Sequence, residues 1–124
     1  MIEVEHVDFI SIPSRDLTRS KQFYGETLGL PVEKDSPGFA EFKAGQVTLS
    51  IWEPEAHGIL FSPNPAGFAL RVADVAAARE ALEAQGVAFR GDVIDSGVCH
   101  MAPFQDPDGN ALILHHRYAP PDAD

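Results

Sequence analysis

The sequence is poor in cysteine, in positive charge and in long apolar runs, and each shortage excludes something. Cys99 is the single cysteine, so no internal disulfide can form and a reducing cytoplasm is the expected compartment. The longest purely apolar runs are short, as in Ala111-Leu112-Ile113-Leu114. They fall far below the ~20 residues a membrane span requires. The opening Met1-Ile2-Glu3-Val4-Glu5 is acidic and lacks the basic flank and apolar core of a signal peptide. Nine Lys and Arg stand against nineteen Asp and Glu, a formal net charge of −10. Nucleic-acid binders cluster positive charge, so this balance argues against them and against anionic membrane surfaces. It suits a cationic ligand, although the plainer meaning of an acidic surface is solubility. The sequence also has no G-x-S-x-G elbow, no C-x-x-C and no phosphate-binding loop, so nucleophilic catalysis has no support.

What is present is a globular composition, 44% apolar and 23% charged over 124 residues, enough for one compact domain without staples. The chain repeats itself. Phe9-Ile10-Ser11-Ile12 leads to Asp16, a helical stretch and Leu28-Gly29-Leu30; Phe68-Ala69-Leu70-Arg71-Val72 leads to Asp74, a helical stretch and Gly86-Val87. Asp16 and Asp74 are natural N-caps, because a carboxylate can accept the free N–H groups of a first helical turn. Gly29 and Gly86 suit the left-handed residue that ends a helix. Three short alternating runs follow each helix, near Leu30–Lys34, Phe39–Lys43 and Gln46–Trp52, and near Val87–Asp92, Val98–Phe104 and Ala111–His116. The break Asp106-Pro107-Asp108-Gly109-Asn110 is a strong hairpin signal. The expected fold is therefore α+β, with two tandem βαβββ modules. Module 1 covers about 4–53 and module 2 about 66–117, joined by a proline-containing linker at 54–65. A tail at 118–124 is expected to fray from Pro120 onward.

Alternation assigns the faces of the strands. Ile10 and Ile12, Val47, Leu49 and Ile51, Phe68, Leu70 and Val72, and Leu112 and Leu114 should pack beneath the two helices. Phe9, Ser11, Ser50 and Trp52 in module 1, and Arg71, Ile113 and His115 in module 2, then face away from them. These seven are the candidate ligand-binding residues. Trp52 reads either as a stacking wall for a planar ligand or as packing at a strand end. Arg71 reads either as the partner of a ligand oxygen or as half of an internal salt bridge with Glu41. Glu41, Glu53, Arg71 and His115 could supply acid–base chemistry if they converge.

Taken together and in order, Arg15-Asp16-Leu17, Phe23-Tyr24-Gly25, Leu28-Gly29-Leu30, Val72-Ala73-Asp74-Val75, Gly86-Val87 and Asp106-Pro107-Asp108-Gly109-Asn110 resemble the vicinal oxygen chelate superfamily. That group includes glyoxalase I, bleomycin-resistance proteins, fosfomycin-resistance proteins and extradiol dioxygenases. The resemblance implies two βαβββ modules curling around a shared cavity, and a homodimer. It leaves the reaction open, since many chemistries share this scaffold. Metal-dependent members carry one ligand on the first strand and one on the last strand of each module. Those positions fall on Phe9, Ser50, Gly67 and Ile113 here, none of them a good divalent-metal ligand. The usual metal site is thus expected to be absent, with no cofactor. The other candidate donors are scattered. His115 and His116 point to opposite faces of one strand. His57 lies in the linker and His6 precedes the first strand. His100 shares the face of Phe104 unless a bulge near Pro103 reverses it. Cys99 reads as a small buried hydrophobe.

Three functions follow in order of preference. The first is a metal-independent protein that binds a small organic molecule. The second is a lyase, isomerase or dioxygenase with a rearranged or metal-free site. The third is a ligand-sensing or structural subunit without chemistry.

Overall fold

In the computed structural model, residues 1–120 are described; Pro121–Asp124, most of the expected frayed tail, lie outside the described residues. Backbone contacts divide the chain into two compact units, Met1–Pro63 and Asn64–Asp124.

The first unit runs β1 (Phe9–Pro13), α1 (Leu17–Gln22), β2 (Val32–Asp35), β3 (Phe39–Ala44) and β4 (Val47–Trp52). Its sheet has the order β1-β4-β3-β2, with β1 parallel to β4 and the other pairs antiparallel. Asp16 caps α1 by accepting the Arg19 N–H at 3.2 Å. Glu53 adds a second acceptor, taking the Leu17 N–H at 3.3 Å. The helix does not run regularly to Gly29. From Phe23 to Thr27 it widens into a π-turn, which brings Phe23 and Tyr24 into edge contact at 5.2 Å, both buried. Gly25 lies so close to the Phe42 ring that a Cβ there would sit 3.0 Å from it. The core is Ile12, Leu17, Tyr24, Ala40, Phe42, Leu49 and Ile51; of the helix-facing set expected from alternation, Ile12, Leu49 and Ile51 are buried, while Ile10 and Val47 are half-buried. Inside it, the Ser14 and Ser20 hydroxyls satisfy each other at 2.6 Å.

The second unit repeats the plan with β5 (Phe68–Arg71), α2 (Val75–Glu83), β6 (Ile94–Asp95), β7 (Cys99–Gln105) and β8 (Ala111–Arg117), in the order β5-β8-β7-β6. Asp74 caps α2 through the Ala77 N–H at 3.0 Å. Val75 and Leu82, seven apart and so on one helical face, are buried, as are Ala102, Phe104, Leu112 and Leu114.

Two elements differ from expectation. No strand spans Val87–Asp92; Phe89 makes one isolated bridge to Phe104, and the edge strand is the two-residue β6. Bends at Gly91-Asp92 interrupt the run that alternation suggested. The join at 54–65 is also more ordered than a linker. It opens with a 3-10 turn at Pro54–His57, and Phe61 is buried under the Arg15 guanidinium at 4.1 Å. At the far end, the Tyr118 and Ala119 N–H groups both donate to the Val98 carbonyl.

The Asp106–Asn110 segment is a structural lock. Asp106 Oδ1 accepts the N–H groups of Asp108 and Asn110, each at 2.9 Å. Asp106 Oδ2 accepts the Asn110 amide at 2.8 Å. Asn110 Oδ1 then takes the Asn64 N–H at 2.8 Å, and the Asn64 carbonyl takes the Ala111 N–H at 2.8 Å. Asp106 and Asn110 are both buried.

Candidate functional site

In each unit the helix covers one side of the sheet, and the residues alternating with the core face the other way. In the first unit the register builds a grid on that open side. Phe9, Thr48 and Lys43 form one row; Ser11, Ser50 and Glu41 form the next; Pro13, Trp52 and Phe39 form the third. Side chains directly opposite in such pairs lie about 5 Å apart at Cβ. All four candidates expected in this unit, Phe9, Ser11, Ser50 and Trp52, stand on this face. Phe9 and Ser11 are exposed, and Ser50 and Trp52 are half-buried.

The polar groups of this face divide into used and unused. Glu33 is used: it accepts the Thr48 hydroxyl at 3.0 Å and pairs with Lys43 at 3.2 Å. These contacts, led by the Thr48 hydrogen bond, hold its carboxyl below the ordinary range. Glu53 is used as a helix cap. Lys34 lies over the Phe39 ring at 5.4 Å, and Trp52 meets the His57 ring at 5.7 Å. Ser11, Ser50 and Glu41 have no hydrogen-bond or ion-pair partner among the described residues. Phe39 and Thr48 were not among the seven candidate ligand-binding residues, and the sequence offered Glu41 only as an acid–base group or a partner for Arg71. The Phe39-Ala40-Glu41-Phe42-Lys43 alternation holds the signal, but only the strand register shows that Glu41 lies level with Ser50.

In the second unit Arg71, His115 and Met101 form one row of the open face, and Ala69, Ile113 and Pro103 the next. Arg71 is exposed, while Ile113 and His115 are half-buried. Arg71 is therefore not the buried guanidinium that would demand an internal partner, and neither its side chain nor that of His115 has a polar partner among the described residues. A cleft of about 350 Å³ opens on this unit between Ala66, Phe89, Pro103, Gln105 and Ala111. Of the expected residues only Ile113 lines it.

The remaining histidines are placed by their partners. His116 Nδ1 lies 3.0 Å from the Val72 carbonyl, and exposed His6 pairs with Asp8 at 2.9 Å. The β7–β8 register is unbroken from Cys99 to Gln105, so no bulge intervenes and His100 shares the face of Phe104. It pairs with Asp95 at 3.3 Å and packs on the Tyr118 ring at 4.7 Å. Cys99 is half-buried rather than buried. Among the described residues no three His, Cys, Asp or Glu side chains gather closely enough to hold a metal ion. Nor do the four positions implied by the resemblance fit one. Beyond their side-chain chemistry, Gly67 has φ 74°, and a Cβ there would lie 2.6 Å from the Ala111 carbonyl oxygen.

Asp95 also accepts the Gly97 N–H at 2.9 Å and the Tyr118 hydroxyl at 2.8 Å. The Gly97 bond foremost, then Tyr118, holds its carboxyl below the ordinary range, and the same contact raises the Tyr118 phenol. A carboxyl lowered in the folded state stabilises the fold above its unfolded pKa, near 4, and that contribution disappears as pH falls through the folded value. Asp95→Asn should therefore flatten the loss of thermal stability below about pH 4. Melting curves of parent and variant that fall in parallel there would refute this.

Two four-stranded βαβββ sheets, each with an open face and a helix-covered face, define the fold class of small glyoxalase-type proteins. The chain belongs to the Glyoxalase/Bleomycin resistance protein/Dioxygenase superfamily, whose family model matches residues 6–114. An uncharacterized protein of Mycolicibacterium smegmatis is 32% identical over 110 residues, covering 88% of this chain and 91% of that protein. Among solved structures, TnmS3, an antibiotic binding protein from Streptomyces sp. CB03234, is 29% identical with a TM-score of 0.79, covering 94% of this chain and 99% of that one. A lactoylglutathione lyase from Agrobacterium tumefaciens has a TM-score of 0.78 at 17% identity, covering 91% and 94%. That last likeness speaks to the fold alone.

Proposed function

We propose that the protein binds a small, flat organic molecule on the open faces of its sheets and does so without a bound divalent metal. The observation that carries this reading is the open grid of the first unit. There Trp52, Phe39 and Phe9 flank hydroxyls and a carboxylate that have no partner among the described residues. Apolar walls with a few convergent polar groups are what small-molecule sites use. Phe9, Ser11, Ser50 and Trp52 supply stacking and hydrogen bonds in the first unit. Arg71, Ile113 and His115 supply a polar and apolar surface in the second. The likeness to an antibiotic binding protein of Streptomyces supports binding over turnover. The metal-independent part rests on the side chains at Phe9, Ser50, Gly67 and Ile113.

Trp52 is the single tryptophan, so its emission reports occupancy of the face directly. Titration with a panel of planar aromatic compounds should quench it, and Trp52→Phe should bind the same compound more weakly. A panel that binds with no change in Trp52 emission would overturn the reading. Elemental analysis of untagged protein should find no stoichiometric zinc, nickel or iron; about one tightly held ion per chain would contradict the metal-independent part.

Homodimerisation in the cytoplasm completes the proposal. Ile2, Val4 and Val7 are exposed in the segment that leads into the edge strand β1, and apolar side chains beside a sheet edge are ordinarily covered. Light scattering at micromolar concentration should give about twice the chain mass of 13.4 kDa; a value near the chain mass would refute the dimer.

A further inference from the structure

We propose that Glu41 is the charge-reading residue of the first unit's open face, so that the face selects a flat aromatic molecule carrying a protonated nitrogen. The inference rests on the binding reading above and adds the chemical class of the ligand.

Three observations on this face converge. First, Glu41 is the one glutamate of the three around it whose carboxylate is uncommitted. Glu33 is held by Thr48 and Lys43, and Glu53 caps α1. Glu41 is half-buried on β3, level with Ser50 and Ser11. A carboxylate only accepts hydrogen bonds, so its complement is a donor, and a charged donor gives the stronger bond. Second, the aromatic rings beside it attract cations. Phe39 and Trp52 are opposite one another, one step along the strands from Glu41 and Ser50. The protein's own Lys34 places its ammonium over the Phe39 ring at 5.4 Å. Lys34 lies opposite Glu41 in the β2–β3 register, yet it takes the ring rather than the carboxylate. A ligand with its ring against Trp52 and its charged nitrogen at Glu41 would satisfy both features together. Third, the chain's net charge of −10 favours the approach of cations and disfavours that of anions.

The other cation on the face does not reverse this sign. Lys43 is neutralised by Glu33 at 3.2 Å. The two unpartnered serines serve as neutral donors or acceptors to substituents along the same row.

The test uses the whole protein and three flat probes of similar size: aminoacridine as the cation, anthracene methanol as the neutral compound and anthracene carboxylate as the anion. Each is titrated against Trp52 emission. Aminoacridine should bind about tenfold more tightly than the carboxylate, as expected for a charge-assisted bond. Glu41→Gln should abolish that preference while leaving the melting temperature unchanged. Glu83→Gln, the same charge change on α2, should leave all three affinities as in the parent. Lys34→Ala, which removes the competing ammonium, should tighten aminoacridine binding. If Glu41→Gln binds the three probes as the parent does, or if the carboxylate binds best, the charge assignment is overturned while the binding reading stands. If none of the three probes perturbs Trp52, the binding reading fails and the assignment falls with it.

Discussion

Asp106→Ala should destabilise the second unit by roughly 3–5 kcal/mol, because it strands three buried donors at about 1–3 kcal/mol each, with partial relaxation. Those donors are the Asp108 and Asn110 N–H groups and the Asn110 side-chain amide. The damage should spread, because Asn110 also holds Asn64 and Asn64 holds Ala111 at the start of β8. Set against total stabilities of about 5–15 kcal/mol, the loss is large. Asp106→Asn retains an acceptor oxygen and should cost less. Urea denaturation is the measurement; an Asp106→Ala midpoint equal to that of the parent would show that the lock carries no weight.

Gly67→His should fail as an attempt to restore a metal ligand, and it should cost roughly 3 kcal/mol or more. Part of the cost is backbone: φ of 74° at this residue penalises an L side chain by about 1–2 kcal/mol. The larger part is the collision of any Cβ with the Ala111 backbone, at 2.6 Å from its oxygen and 2.8 Å from its carbonyl carbon. That oxygen belongs to β8, paired with β5 from Phe68 to Arg71, so relief requires shifting the central strand. Thermal melting and zinc titration of the variant together decide the point. A stable variant that gains a tight zinc site would refute the prediction. At Gly67, the residue before β5, any donor side chain therefore requires the Ala111 backbone to shift.

Much of this fold was legible in the sequence because its signals are local. Asp16 and Asp74 cap helices wherever a first turn has free N–H groups, and both do so here. Alternation placed Ile12, Leu49 and Ile51 in one core and Leu112 and Leu114 in the other, since the side-chain period of a strand is fixed at two. The duplication about 58 residues apart, from Asp16 to Asp74, was enough to give both βαβββ units. Where local signals conflicted, the reading failed. The Val87–Asp92 run alternates, but its turn at Gly91-Asp92 prevails and the edge strand shrinks to Ile94–Asp95.

The identity of the charged groups left over on each open face was decided only by the tertiary structure. The sequence offered Glu41 and Glu53 alike as acid–base groups and did not single out Glu33. Strand register and the approach of Thr48, Lys43 and the first turn of α1 commit two of them and leave the third. In the same way the sequence could name Arg71 as a candidate for an internal salt bridge, while packing leaves it exposed. The sequence by itself determined the two βαβββ modules, part of the helix-facing core and the side chains at the family's ligand positions, because each depends on neighbours a few residues away. Which polar groups stay unpartnered depends on contacts between residues far apart in the chain, and only the folded arrangement of strands supplies those.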